Sequence, residues 1–456
     1  MDAFVTRKPK KRKTSDEPAE ESPEESTDVK LAILASLHPD IEQEMLLDIL
    51  LAHDGDVQAT SETLKSPPPA SRPVKKTTGV AGQTSLRSFT SDSSPSGEPS
   101  SKKPKILSKK GQTLYLYDPQ DISEHTPCSI IHNFLPAQEA NELLAELVEE
   151  SKTFQKVSFK LFDNIVSSPH TSGFYVGSQK ELQEQKNDYH YNGGRITDVR
   201  TLTPKLEAVR ARVQETVNQA IQDRIRTHHG GQKPKYQPSE PWCANAAFVN
   251  CYNGPQESVG WHTDQLTYLG PHPTIASLSL GVTREFRLRR ISSFLPSSPS
   301  THPPTSDPNL QGQISLPLPH NSLLIMHSTT QEQWKHSVSP SRSLTPHPIS
   351  GNIRINITYR HYRPQFHPRT TPKCHCGVPG VLRVVTNDTK TDTINNTKSG
   401  SGGRTKKENW GRYFYMCHAG NVPDPTKQKC GWFLWGDFDE DGNPRDPSGA
   451  NQSKPG

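Results

Sequence analysis

The chain has 456 residues, room for two to four domains, yet only 30% are hydrophobic and 41 are proline, so much of it must be linker. A formal net charge of +5 is too mild to imply nucleic-acid binding by itself, so that case has to come from local clusters. No run approaches the roughly 18 apolar residues of a membrane span, which excludes an integral membrane protein of the helical kind and leads us to expect a soluble chain.

Residues 1–27 are expected to be a disordered tail. They run from a short apolar patch into Arg7-Lys8-Pro9-Lys10-Lys11-Arg12-Lys13 with no apolar stretch behind it, so this is not a secretion signal. The basic run reads as a nuclear-localisation segment and makes the nucleus the expected location; a plain solvated tail is the alternative.

Over residues 28–66, Leu31, Ile33, Leu34, Leu37, Leu46, Leu47, Ile49, Leu50 and Leu51 fall at spacings of three and four, predicting a small helical bundle. Pro39 is expected to start its second helix and Gly55 to end it. So short a segment has a thin core and leaves an apolar face for a partner. With Leu37-His38-Pro39 standing for a Met-Phe-Pro and Leu50-Leu51 near the di-leucine position, it resembles a CUE domain, which implies ubiquitin as a partner. A generic helical protein-binding module is the alternative.

Residues 67–110, rich in Ser, Pro, Thr and Lys, read as a disordered linker. Within it, Gln83-Thr84-Ser85-Leu86-Arg87-Ser88-Phe89-Thr90 resembles a sliding-clamp binding peptide without its second aromatic; inert linker is the other reading.

Residues 111–368 carry the large fold. Leu135-Pro136 opens a helix with Leu143, Leu144, Leu147 and Val148 on one face, and Thr203-Pro204 opens another with Leu206, Val209, Val213, Val217 and Ile221. Short β-rich runs follow at 248–252, 274–280, 285–289, 323–326 and 353–360. We expect an α+β multidomain protein whose central part is a double-stranded β-helix, or jelly roll, buttressed by helices. The Ser- and Pro-dense stretch 292–312 reads as a disordered insertion.

A non-haem iron oxygenase needs two imidazoles and one carboxylate on one face of the metal. His262-Thr263-Asp264 can supply two of these, because residues i and i+2 of an extended segment point the same way. With 19 histidines and 48 acidic residues such a pair also arises by chance, and His38-Pro39-Asp40 is one, read as a surface turn. What separates His262 from it is company: a strand before, a candidate third ligand at His336, and then a strand of unusual character. In Ile353-Arg354-Ile355-Asn356-Ile357-Thr358-Tyr359-Arg360 the alternation puts both arginines on one polar face. An arginine fork holds a carboxylate through two parallel hydrogen bonds, as a dicarboxylate such as 2-oxoglutarate requires. An edge strand with a solvated basic face is the alternative.

The series Asn250-Cys251-Tyr252, His262-Thr263-Asp264, Ile275 to Gly281, Trp334-Lys335-His336-Ser337 and Arg354 to Arg360 is similar in order and spacing to the AlkB family of dioxygenases, and especially to its DNA-repair members. That resemblance implies Fe(II) held by His262, Asp264 and His336, a 2-oxoglutarate site lined by Asn250, Tyr252, Arg354, Asn356, Thr358 and Arg360, and O2 as oxidant. It implies Glu285 near the damaged base, where the family has an aspartate. Tyr189-His190-Tyr191-Asn192-Gly193 resembles the family's lid, with Tyr189 and Tyr191 stacking on a flipped base; ordinary hairpin packing is the alternative. The implied activity is oxidative demethylation of 1-methyladenine and 3-methylcytosine in DNA, single-stranded above all, with release of formaldehyde. RNA or a protein side chain as substrate, or an inactive adaptor for ubiquitin and single-stranded DNA, are the alternatives.

Residues 369–440 hold Cys374, Cys376, Cys417 and Cys430, enough thiolates to close a structural Zn(II) site; His375 or His418 could replace one of them. Seven cysteines, four of them clustered here and Cys128, Cys243 and Cys251 scattered, suggest a reducing compartment and a metal site. Gly411 to Cys417 and Cys430 to Trp435 resemble a GRF-type zinc finger, which implies single-stranded DNA binding, with Arg404, Lys406, Lys407 and Arg412 tracking phosphates. Trp410 and Tyr413 are expected to be exposed ahead of Phe433, 387–409 to be a loop, and residues 441–456 to be a disordered tail.

Overall fold

Two prolines open the helices that back the main sheet. In the computed structural model, Pro136 precedes the helix Ala137–Glu150, and Thr203 caps Pro204–His228 by accepting the Leu206 N–H. The structure describes residues 56–65, 113–161, 164–191, 194–195, 198–291, 312–386, 409–419 and 430–445, with Lys30, Leu34, Leu37, Leu46 and Leu50. The basic run, Pro39, Gly55, the clamp-like peptide, Arg404, Lys406, Lys407, and all but the ends of 292–312 and 387–409 lie outside them.

The chain divides into two units, Met1–Val74 and Lys75–Gly456. In the first, Asp56 caps the helix Val57–Lys65 through its Oδ1, which accepts from Gln58 N and Ala59 N. Leu34, Leu46 and Leu50 are buried, whereas Leu37 is 51% exposed.

In the second unit the strands are β1 (Thr113–Tyr115), β2 (Cys128–His132), β3 (Gln155–Leu161), β4 (Asn164–Val176), β5 (His190–Tyr191), β6 (Gly194–Arg195), β7 (Val199–Thr201), β8 (Ala246–Asn253) and β9 (Val259–His262). Then come β10 (Ile275–Gly281), β11 (Arg284–Arg290), β12 (Gln313–Leu318), β13 (Ser322–Met326), β14 (Trp334–Val338), β15 (Ile353–Arg360), β16 (Val381–Val384), β17 (Tyr413–Met416) and β18 (Phe433–Trp435). The larger sheet runs β2-β13-β10-β15-β8-β4-β3 with β7 beside β4, and the smaller runs β1-β12-β11-β14-β9. Between them lies one apolar layer, with Ile275, Leu324 and Met326 from the larger sheet meeting Phe286, Leu288, Leu316 and Val338 from the smaller. A second core packs Leu143, Leu147, Val209 and Val213 of the two helices onto Val249, Leu278, Ile355 and Ile357. This is the expected helix-backed jelly roll.

Gly281 makes the crossing from one sheet to the other. Its φ is +89°, and a Cβ there would come within 2.3 Å of the Ile353 carbonyl oxygen, so the chain can turn from β10 into β11 only with glycine.

Strands 246–253, 275–281, 284–290, 322–326 and 353–360 fall where the β-rich runs predict them. The helix Gln179–Asp188 carries no such signal: it has a single apolar residue, Leu182, and is fixed instead by its Ser178 cap, whereas Val157, Phe159 and Leu161 of β3 do alternate and the sequence reading passed over them. The expected tail beginning at 441 is corrected. Asp441 pairs with Lys233 at 2.9 Å, and Arg363 donates to the carbonyls of Asp441 and Gly442 and to Asn443 Oδ1.

Candidate active site

His262 ends β9 and His336 lies opposite it on β14, so the strand register alone sets two imidazoles side by side, with ring centroids 4.3 Å apart. Asp264 lies just beyond the strand, and its Oδ1 is 3.7 Å from His262 Nε2 and 3.8 Å from His336 Nε2. Donors that each sit about 2 Å from one ion lie no more than about 4 Å apart, so these separations suit a shared metal.

The surroundings fix each donor. His262 Nδ1 lies 2.8 Å from the Gly260 carbonyl oxygen; a carbonyl only accepts, so Nδ1 keeps the proton and Nε2 is left for a metal. The Asp264 N–H donates to Gln331 Oε1 at 2.8 Å. Burial pushes the Asp264 carboxyl up, but the Arg360 guanidinium, 3.1 Å away, outweighs it and holds it below its ordinary value. Burial, with His262 alongside, pushes His336 down to about 3, which keeps the ring neutral as a ligand must be. Two imidazoles and an ionised carboxylate on one side of a point are a donor set that fits ferrous iron.

On β15 the alternation resolves into two buried faces. Ile355, Ile357 and Tyr359 turn to the helices, and Arg354, Asn356, Thr358 and Arg360 turn into the jelly roll. Since β15 is central in its sheet, the edge-strand alternative fails. Arg354 is 1% exposed; its Nη2 donates to Ser279 Oγ and Asn356 Oδ1, both at 2.9 Å. Its Nε and Nη1 have no acceptor among the described residues, and no carboxylate among them pairs with it. Burial, with the charge of Arg284 nearby, pushes the guanidinium down to about 10, still charged at neutral pH. A buried cation with two idle donors fits one carboxylate of 2-oxoglutarate.

Tyr252 is paired with Arg354 across β8 and β15, its ring 5.2 Å from the guanidinium, and Asn250 is paired with Asn356. Asn356 also donates to Thr358 Oγ1 and accepts from Ser277 Oγ. The sequence reading missed Ser277, Ser279, Gln331 and His170, whose ring stacks on Tyr252 at 4.8 Å. Only the serines had a signal, since in Ala276-Ser277-Leu278-Ser279-Leu280 they share a polar face.

Tyr189 is 6% exposed, its ring packed among Tyr268, Tyr362 and His367. For Tyr191 the backbone strand is described but the side chain is not. Glu285 lies on the face of β11 opposite Phe286 and Leu288, whose side faces His336, and it pairs with Arg287 at 2.8 Å. Tyr413 is buried, whereas Phe433 is half-buried, the reverse of the expected order, because Tyr413 faces the jelly roll.

The Sγ atoms of Cys374, Cys376, Cys417 and Cys430 lie within 4.8 Å of one another, without His375 or His418. These four thiolates fit a closed tetrahedral Zn(II) site. No helix among the described residues is long and apolar enough to cross a membrane.

A jelly roll that gathers two histidines and an aspartate around one point, next to a buried arginine awaiting an anion, marks the class of iron oxygenases that take a dicarboxylate cosubstrate. The chain belongs to the 2OG-Fe(II) oxygenase superfamily, whose family model matches residues 127–360, just over half of it. It is 35% identical over 131 residues to the alpha-ketoglutarate-dependent dioxygenase alkB homolog 3 of Mus musculus, covering 28% of this chain and 40% of that one. It is 36% identical over 124 residues to the DNA oxidative demethylase ALKBH2 of Arabidopsis thaliana, covering 25% and 37%. It thus spans less than half the length of these relatives. The solved structure of OsALKBH1 aligns over 52% of this chain and 98% of that one at 14% identity, with a TM-score of 0.32.

Proposed function

We propose that this chain is an iron(II)- and 2-oxoglutarate-dependent demethylase of N-alkylated bases, 1-methyladenine and 3-methylcytosine, in DNA. The observation that carries the reading is the pairing of the His262–Asp264–His336 cluster with the unsatisfied donors of Arg354. The relatives named as a DNA oxidative demethylase and an alkB homolog support the choice of substrate. When bound, iron, 2-oxoglutarate and O2 would supply the hydroxylation of an N-methyl group, which then leaves as formaldehyde. The chain's own residues orient and exclude water. Arg354 holds a cosubstrate carboxylate, Arg360 keeps Asp264 ionised and in place, and Gly260 fixes the His262 tautomer.

The four cysteines would hold a structural Zn(II). Half-buried Trp432, Phe433 and Trp435, with Arg412 at 3.9 Å over the Trp435 ring, suit stacking on single-stranded bases. We further propose a nuclear location from the basic run and ubiquitin as partner of the helical unit, where Leu37 is left exposed; a sliding clamp would take the 83–90 peptide.

The test is to incubate the chain with iron(II), 2-oxoglutarate and methylated oligonucleotides and weigh the products. Methylated DNA should lose its methyl mass, and His262→Ala should abolish the loss. Loss from RNA alone would move the substrate to RNA, and loss from no oligonucleotide would return the protein-hydroxylase or adaptor reading.

A further inference from the structure

The cysteine module sits against the two segments that carry the candidate iron ligands. Tyr413, first residue of β17, is 3% exposed, and its hydroxyl donates to Glu332 Oε1 at 3.2 Å. The same oxygen accepts the His272 N–H at 2.9 Å. Glu332 is 4% exposed and belongs to the short helix Thr330–Gln333, which runs directly into β14 and His336. Its neighbour Gln331 accepts the Asp264 N–H. Leu266, just past Asp264, packs with Phe366, Leu382, Tyr413, Tyr415 and Phe438.

The loop from Asp264 to His272 is therefore clamped at both ends by one short helix, and in between by the cysteine module. Further ties, Lys233 to Asp441 and Tyr236 N–H to the Glu440 carbonyl, bind the module's far end to the jelly roll. It is thus built into the catalytic unit.

We propose that Tyr413 is a positioning residue for the iron site: from the cysteine module it holds Glu332, and through Glu332 the turn that sets Asp264 and His336. The second oxygen of Glu332 has no hydrogen-bond partner among the described residues, so the Tyr413 hydroxyl and the His272 N–H are the donors that anchor this buried carboxylate. Removing one leaves the carboxylate under-satisfied, and the turn relaxes. A metal site tolerates only about 0.5 Å of misplacement among its donors, so a small shift of the turn is felt at the ion.

This rests on the assignment of His262, Asp264 and His336 as ligands, and the test separates the two. Mn(II) prefers carboxylate and imidazole to thiolate, so titrating the full chain with Mn(II), followed by electron paramagnetic resonance, reads the His/Asp/His site and not the cysteines. Tyr413→Phe keeps the ring and its packing; it should weaken Mn(II) binding about tenfold while zinc content stays that of the unaltered chain and the melting temperature falls by only a few degrees. Glu332→Met keeps the length of the side chain but removes both oxygens and leaves the module's core untouched; it should weaken Mn(II) in the same direction, so the test survives if Tyr413→Phe fails to fold. A lowered melting temperature with unchanged Mn(II) affinity in both variants would overturn the positioning role and leave the oxygenase reading standing. Absence of Mn(II) binding in the unaltered chain would overturn both.

Discussion

Burying a guanidinium without a counter-ion costs several kcal/mol, and Arg354 carries that cost inside the jelly roll. Lysine has the charge and the reach but not the fork. Losing one charge-assisted hydrogen bond is worth about 2 kcal/mol, so Arg354→Lys should weaken 2-oxoglutarate binding by about 30-fold. Anaerobic calorimetric titration measures it, and wild-type affinity in the variant would show that the anion is held elsewhere. That Arg354 and Arg360 share a face was legible in the alternation of 353–360. Their division of labour was not, because Arg360 is committed to Asp264 by a contact that spans almost a hundred residues.

At the scale of the strand, β15 separates two tasks that its sequence interleaves. The isoleucines and Tyr359 bind the sheet to the helices, while the polar residues between them line the site. Ile357→Ala should cost about 2–5 kcal/mol of stability, read as a lowered urea midpoint, while the folded protein keeps its 2-oxoglutarate affinity. A matching loss of affinity would mean that the two faces are coupled. The five β-rich runs and the two proline-opened helices were readable because periodicity and caps are local. The helix Gln179–Asp188 was not, since without an apolar stripe nothing but its tertiary setting decides that it forms.

Across the whole molecule, buried histidines link folding to pH. Burial holds His327 well below its ordinary value and pushes His361 down to about 4. Below about pH 6.5 the unfolded chain takes up protons that the folded chain refuses, so the stability these rings contribute is complete above that pH and lost as the pH falls towards their folded values. Each such histidine adds a slope of about 1.4 kcal/mol per pH unit in that window. Calorimetric melts should show the transition temperature falling between pH 6.5 and 4.5, and a flat profile would mean that the rings are solvated.

Residue types and spacings sufficed to single out two clusters that could each hold a metal, because His-x-Asp with a distant histidine, and four cysteines close in sequence, are combinations of ligand-forming side chains. They also sufficed for five strands and the two proline-opened helices of the jelly roll, since β-rich runs and a 3.6-residue period can be read locally. Which face of a strand looks inward was settled only by sheet pairing: the face holding Glu285 points away from the ligands, and the one holding Arg354 points towards them. Packing between segments far apart in the chain likewise buried Tyr189 and turned Tyr413 towards Glu332, 81 residues away. Such pairings depend on how β-strands from distant parts of the chain come to lie side by side, and nothing local to either partner encodes them.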